Sequence, residues 1–109
     1  MKNNLSLSLV VLFLLLANVL LAQSPMLEKK VTIQYFDVKL EDALDNISKD
    51  YDVNFSYSID RISVHQKVSA DVEDAPLSLA LEDLLEETNI TYAGIGDQVV
   101  LKLDKKKIF

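Results

Sequence analysis

The sequence predicts an α+β domain built as a duplicated βαβ–βαββ unit, and three observations predict it. The first is an internal repeat, in which Val31 to Phe55 superimposes without a gap on Val68 to Tyr92 at a spacing of 37 residues. Val31 falls on Val68, Asp37 on Asp74, Leu40 on Leu77, Ala43 on Ala80, Leu44 on Leu81, Ile47 on Leu84, Val53 on Ile90 and Phe55 on Tyr92. Matched positions are apolar or turn acids, so a pattern of burial repeats and not a catalytic motif. The second is that within each copy the apolar period switches from strand-like alternation to helical spacing and back. The third is that only two copies are present, too few for a solenoid whose units cover one another's apolar faces. A compact domain with pseudo-twofold symmetry is expected.

Along the chain, Gln23 to Lys30 is polar, contains Pro25 and reads as a linker. Val31-Thr32-Ile33-Gln34-Tyr35 alternates as a half-buried strand. Asp37 is the expected N-cap of the first helix, its carboxylate accepting free N–H groups of the first turn. Leu40, Ala43, Leu44, Ile47 and Tyr51 then form one apolar stripe over about three turns. Val53, Phe55 and Tyr57 alternate as a second strand, and Ser58 to Lys67 connects the copies. Val68, Ala70 and Val72 make a third strand. Asp74-Ala75-Pro76 is expected to start the second helix, with Pro tolerated in the first turn, and Leu77, Ala80, Leu81, Leu84 and Leu85 give it a broader stripe. Ile90 and Tyr92 mark a fourth strand, Gly94-Ile95-Gly96-Asp97 a turn, and Gln98 to Leu103 a fifth strand, so the last two pair as a hairpin. Asp104 to Phe109 is a charged tail.

Ahead of this domain, residues 1–22 follow the grammar of a secretory signal peptide: Lys2 in a short polar start, an apolar run from Leu5 to Leu21, and Ala22 before Gln23 at the cleavage position. The run is short against the roughly 20 apolar residues of a spanning helix, so cleavage is expected rather than an uncleaved anchor, and contact with a membrane only before that cleavage. No Cys is available for a lipoprotein anchor. Removing residues 1–22 takes away one of 11 bases and none of 17 acids, leaving 10 bases and a net charge of −7. Such a domain repels phosphate backbones, which sets nucleic acid aside as a partner. Export of a small domain without Cys fits a bacterial periplasm better than an animal extracellular space. The sequons at Asn46, Asn54 and Asn89 lie on core-patterned segments, where a glycan would obstruct packing.

Chemistry is sparse in this pattern. The single His, His65, lies in the connector without a companion nucleophile motif, and reads as a solvent-facing loop residue rather than a general base. Asp71, Glu73 and Asp74 are close in sequence but no calcium loop follows, so a solvated acidic edge is the reading. Gly94 and Gly96 precede a strand and not a helix, which makes them turn glycines and no phosphate cradle. Glu41-Asp42-Asp45 and Glu82-Asp83-Glu86-Glu87 are acidic helix faces, and Lys105-Lys106-Lys107 could contribute about 3 kcal/mol at anionic headgroups. No enzyme, metal or cofactor is expected.

Several segments together resemble a family. Val31-Thr32-Ile33 before Leu40-Glu41-Asp42-Ala43-Leu44, then Val53-Asn54-Phe55-Ser56-Tyr57-Ser58, Val68-Ser69-Ala70-Asp71-Val72, Ala75-Pro76-Leu77-Ser78-Leu79-Ala80-Leu81-Glu82-Asp83-Leu84-Leu85 and Gln98-Val99-Val100-Leu101 stand in the order of the STN domain. This is the short N-terminal domain of secretins and of signal-transducing TonB-dependent receptors, here in wording similar to Bacteroidetes versions. The resemblance covers Val31 to Leu103. It implies two helices sandwiched between two small sheets, a periplasmic location (outer-membrane-associated within a receptor system), and contact with a FecR-like anti-sigma regulator, a TonB-dependent receptor component or another envelope protein. It implies no catalytic residues. No plug, barrel or secretin domain follows Leu103, so a truncated reading frame and a free-standing domain both stay open.

Three function classes follow. An interaction module that relays state to an envelope partner comes first, a self-assembling component of a secretin-like or other envelope complex second, and a small-ligand binder third, since the Leu- and Ala-rich stripes leave no convergent polar groups between the helices. The candidate partner site is an unpaired edge on the last strand, Gln98, Val99, Val100, Leu101, Lys102 and Leu103; an edge blunted by Lys102 and the tail, and an acidic helix face as the site, both stay open as alternatives.

Overall fold

A computed structural model describes residues 24–106; the expected leader and its cleavage position at Ala22 and Gln23 lie outside the described residues. A 3-10 turn at Pro25–Glu28 leads into β1 (Lys30–Lys39), α1 (Leu40–Tyr51), β2 (Asn54–Ser56), β3 (Lys67–Pro76), α2 (Leu77–Leu84), β4 (Ile90–Ile95) and β5 (Gln98–Leu103). β1 and β3 form an antiparallel two-stranded sheet, and a second sheet has the order β2-β5-β4. The two helices lie between these sheets, the α+β arrangement the repeat predicts.

The pseudo-twofold axis is written in the strand register. Lys30 pairs with Pro76 and Lys39 with Lys67, Val31 with Ala75 and Val38 with Val68, Ile33 with Val72 and Tyr35 with Ala70. Each of these couples is one pairing and its image under the 37-residue shift, and Gln34 opposite Asp71 sits on the axis. Both strands run longer than their alternation predicts, because each carries a β-bulge: Phe36 and Asp37 stand opposite Ser69, and Glu73 and Asp74 opposite Thr32. Asp37 (φ 55°) and Asp74 (φ 48°) adopt the left-handed conformation at these bulges, which Asp tolerates better than most residues. The bulged amides are caught by hydroxyls across the ladder. Asp37 N–H donates to Ser69 Oγ at 2.9 Å and Asp74 N–H to Thr32 Oγ1 at 3.0 Å.

The repeated acids are therefore bulge residues and not the helix caps that their type and position predict. α1 begins only after Lys39, and Pro76 ends β3 instead of opening the second helix; among the described residues neither helix has a side-chain cap. The first N–H groups find backbone carbonyls instead. Leu40 N–H donates to Gln66 O (2.9 Å), Glu41 N–H to Val64 O (2.9 Å) and Leu77 N–H to Lys29 O (2.8 Å). Gln66 and Lys29 are again partners under the repeat.

One core joins both copies. Leu40, Ala43, Leu44 and Ile47 of α1 and Leu77, Ala80, Leu81 and Leu84 of α2 are buried against Val31, Ile33, Val68 and Ala70 on one side and Ile90, Val99 and Leu101 on the other. Full burial of one such Leu stabilises by about 1.5–3 kcal/mol. The two presumed connectors also belong to this core. Ile62 and Val64 are buried, and Met26 and Leu27 of the supposed linker pack against it. Lys29 Nζ donates to Tyr51 O (2.6 Å) and Asp52 O (3.3 Å), a cation on the carbonyl end of α1. Gly94 lies within β4, not in a turn. A Cβ there would fall 2.8 Å from Ser24 Oγ and 2.9 Å from Leu27 Cδ1, so its bare backbone is the seat of the N-terminal turn. Gly96 is the turn glycine, with φ 61° in the two-residue loop between β4 and β5.

Candidate docking surface

The structure pairs the first half of the last strand on both sides. β5 is the central strand of its sheet, antiparallel to β4 along its whole length and parallel to β2, with Asn54, Phe55 and Ser56 opposite Gln98, Val99 and Val100. The expected edge at Gln98, Val99, Val100, Leu101, Lys102 and Leu103 is closed at its first three residues, because the hairpin is not the whole sheet. β2 leaves α1 parallel to β5 and covers Gln98, Val99 and Val100 on the side that the hairpin alone would leave open, and its ladder stops short of Leu101, Lys102 and Leu103. A three-residue strand gives a weak sequence signal, and its cross-sheet partner cannot be read from local alternation.

The edges that matter belong to the two-stranded sheet, where the pseudo-symmetry breaks. On the outer side of β1, the hydroxyl of Tyr51 at the end of α1 accepts the N–H of Thr32 and donates to its carbonyl, both at 2.9 Å. Both backbone groups of Thr32 on that side are thereby satisfied, and the ring fills the space beside the strand. The repeat places Thr88 where a second Tyr would stand. Thr88 is buried and turns inward: its Oγ1 donates to Leu85 O at 2.7 Å and accepts Ile90 N–H at 3.1 Å. It leaves a groove of about 350 Å³ along the edge of β3 at Ser69, bordered by Asp37, Lys67, Asp83, Glu86 and Glu87. Because Thr32 presents its amide and carbonyl outward, its repeat partner Ser69 presents the same groups along this groove. One neighbour is already bridged, since Asp71 N–H donates to Asp83 Oδ2 at 2.9 Å. Four carboxylates face one ammonium here, so the groove carries a negative potential.

The remaining sequence candidates do not converge with this groove. His65 is exposed, its Nδ1 3.3 Å from Glu41 Oε1, near the start of α1. Glu82 meets Tyr92, whose hydroxyl donates to Ser78 O (3.1 Å) and Glu82 Oε1 (3.4 Å). Burial, and then the Glu82 charge with its hydrogen bond, push the Tyr92 phenol above its usual value. Tyr35 and Tyr57 are also raised, first by burial and then by nearby carboxylates, Asp50 for the former and Asp45 and Glu41 for the latter. Lys105 borders a shallow depression with Ser58, Arg61 and Leu103. Phe36 in the first bulge is 87% exposed, the most exposed large apolar residue described. Sequence reading passed over Phe36 and Ser69; the signal that could have found the groove is the Tyr51-to-Thr88 mismatch at one end of an otherwise matched apolar stripe. In comparisons with known proteins the chain matches no family model and no curated protein.

Proposed function

We propose that this chain is a periplasmic interaction module of STN type, which binds another envelope protein and performs no catalysis. The observation that carries the reading is the order βαβ–βαββ with the STN-like segments in sequence behind a leader-like N-terminus. The interior supports it: Leu, Ile, Val and Ala fill the space between helices and sheets, and every buried side-chain N or O among the described residues has a hydrogen-bond partner. Recognition is thus assigned to the surface, where an exposed Phe and strand edges are available. A FecR-like anti-sigma regulator or a TonB-dependent receptor component is the partner class that the resemblance implies.

The test is to express the tagged chain in the periplasm, crosslink, capture and identify associated proteins by mass spectrometry. Recovery of a membrane-anchored regulator or receptor barrel supports the reading. Recovery of the chain alone, as dimers or larger species, replaces it with self-assembly.

A further inference from the structure

Building on the interaction reading, we infer that the β3 edge at Ser69 is the docking strand, and that its occupant is an extended, basic segment of a partner protein. Three features of the groove point to this occupant. The groove occupies the place that Tyr51 fills beside β1, so the fold caps Thr32 and leaves the equivalent position, Ser69, lining a groove, with the next outward amide, that of Asp71, held by Asp83. An added strand would pair with the outward amide and carbonyl of Ser69. Its alternate side chains would then face Asp37, Asp83, Glu86 and Glu87, because successive strand residues point to opposite faces. Lysine or arginine at those alternate positions complements the four carboxylates, whereas an acidic strand meets like charge. A second copy of this chain is a poor occupant on the same ground, because two strongly acidic domains repel each other. Tyr51, bonded to both backbone groups of Thr32, denies the equivalent position of β1 to an added strand.

The experiment uses the full chain, produced in cells with its own N-terminal segment, labelled with ¹⁵N and recovered in the form the cells accumulate. The probe is a blocked eight-residue peptide of alternating Lys and Val, with an alternating Glu and Val peptide as control. The Lys peptide is expected to give saturable amide shifts concentrated at Lys67 to Ala70 and Glu86 to Thr88, weakened as salt is raised. The exposed double variant Glu86→Lys, Glu87→Lys is expected to weaken binding roughly tenfold, about 1.4 kcal/mol. Thr88→Tyr, which would restore the plug, is expected to abolish it; the double variant keeps the test decisive should Thr88→Tyr fail to fold. Absence of shifts, shifts centred instead on Glu41, Asp42 and Asp45, or equal binding of the Glu peptide would each overturn the docking strand. Concentration-dependent shifts at Ser69 without peptide would show a second copy as occupant and overturn the basic partner. A captured envelope partner alongside a silent groove would sink this inference while leaving the interaction reading in place.

Discussion

At the scale of the residue, the two bulges show how a repeat can be conformational before it is chemical. Asp37 and Asp74 are matched because each must take a left-handed backbone, and Thr32 and Ser69 because each must offer a hydroxyl to the other strand's bulged amide. Thr32→Val and Ser69→Ala are therefore expected to cost similar amounts, on the order of 0.5–1.5 kcal/mol each, read as shifts of the urea midpoint. Unchanged midpoints would mean that water replaces the hydroxyls without loss. Tyr92 supplies a pH-dependent case. Its folded pKa lies above the usual phenol value of 10.0, so its contribution is fully present below that value. As the pH rises past about 10 the unfolded chain ionises first, and stability falls until the folded phenol also titrates. Tyr92→Phe should make this alkaline decline shallower, while losing about 0.5–1.5 kcal/mol near neutral pH through the Ser78 hydrogen bond. An unaltered alkaline slope would exclude Tyr92 as a source of the effect. Tyr35 and Tyr57 are raised in the same direction and would carry the remainder.

Among the elements, α2 separates what a helical stripe can and cannot tell. Leu81 is completely buried and Leu79 is 51% exposed, although both are Leu in one short helix. Leu81→Ala is expected to cost about 2–5 kcal/mol through a cavity, and Leu79→Ala less than about 0.5 kcal/mol; denaturant titrations of the two variants check the contrast. The helical stripes and the strand alternation were legible because burial repeats at 3.6 and 2 residues. Helix starts were not legible, because Asp37, a plausible cap by type, is held by tertiary strand pairing, and the caps are carbonyls of Gln66, Val64 and Lys29. The same holds for Pro25–Glu28, whose polar composition conceals a turn seated on Gly94. Gly94→Ala is expected to displace that turn, seen as faster exchange at the Leu27 and Lys29 amides and faster proteolysis ahead of β1. Retained protection at both amides would show that the turn accommodates a methyl group. Of the candidate surface, the acids of α2 were visible in the sequence. Their placement beside Ser69 was not, since it depends on which strand edge Tyr51 covers.

For the whole molecule, the repeat does not divide the chain into two folding units. Among the described residues β1 pairs only with β3, one strand from each copy. The first N–H of α1 is satisfied by Gln66, just ahead of β3, and that of α2 by Lys29, just ahead of β1. β2, from the first copy, completes the sheet that carries β4 and β5 of the second. Neither copy satisfies its own helix start, the β1–β3 ladder takes one strand from each, and a domain this small has little burial to spare. The two helices are therefore expected to open together. Native-state hydrogen exchange should give the same opening free energy for amides of Leu44 to Ile47 and of Leu81 to Leu84, equal to the global unfolding free energy from denaturant. Were α1 to open at a distinctly lower value, the β1–β3 ladder would be a contact between separate units, and the pseudo-twofold would describe shape without cooperativity. Equal values would instead make the axis through Gln34 and Asp71 the centre of one folding unit, with the groove at Ser69 a break in symmetry that the rest of the structure is rigid enough to hold open.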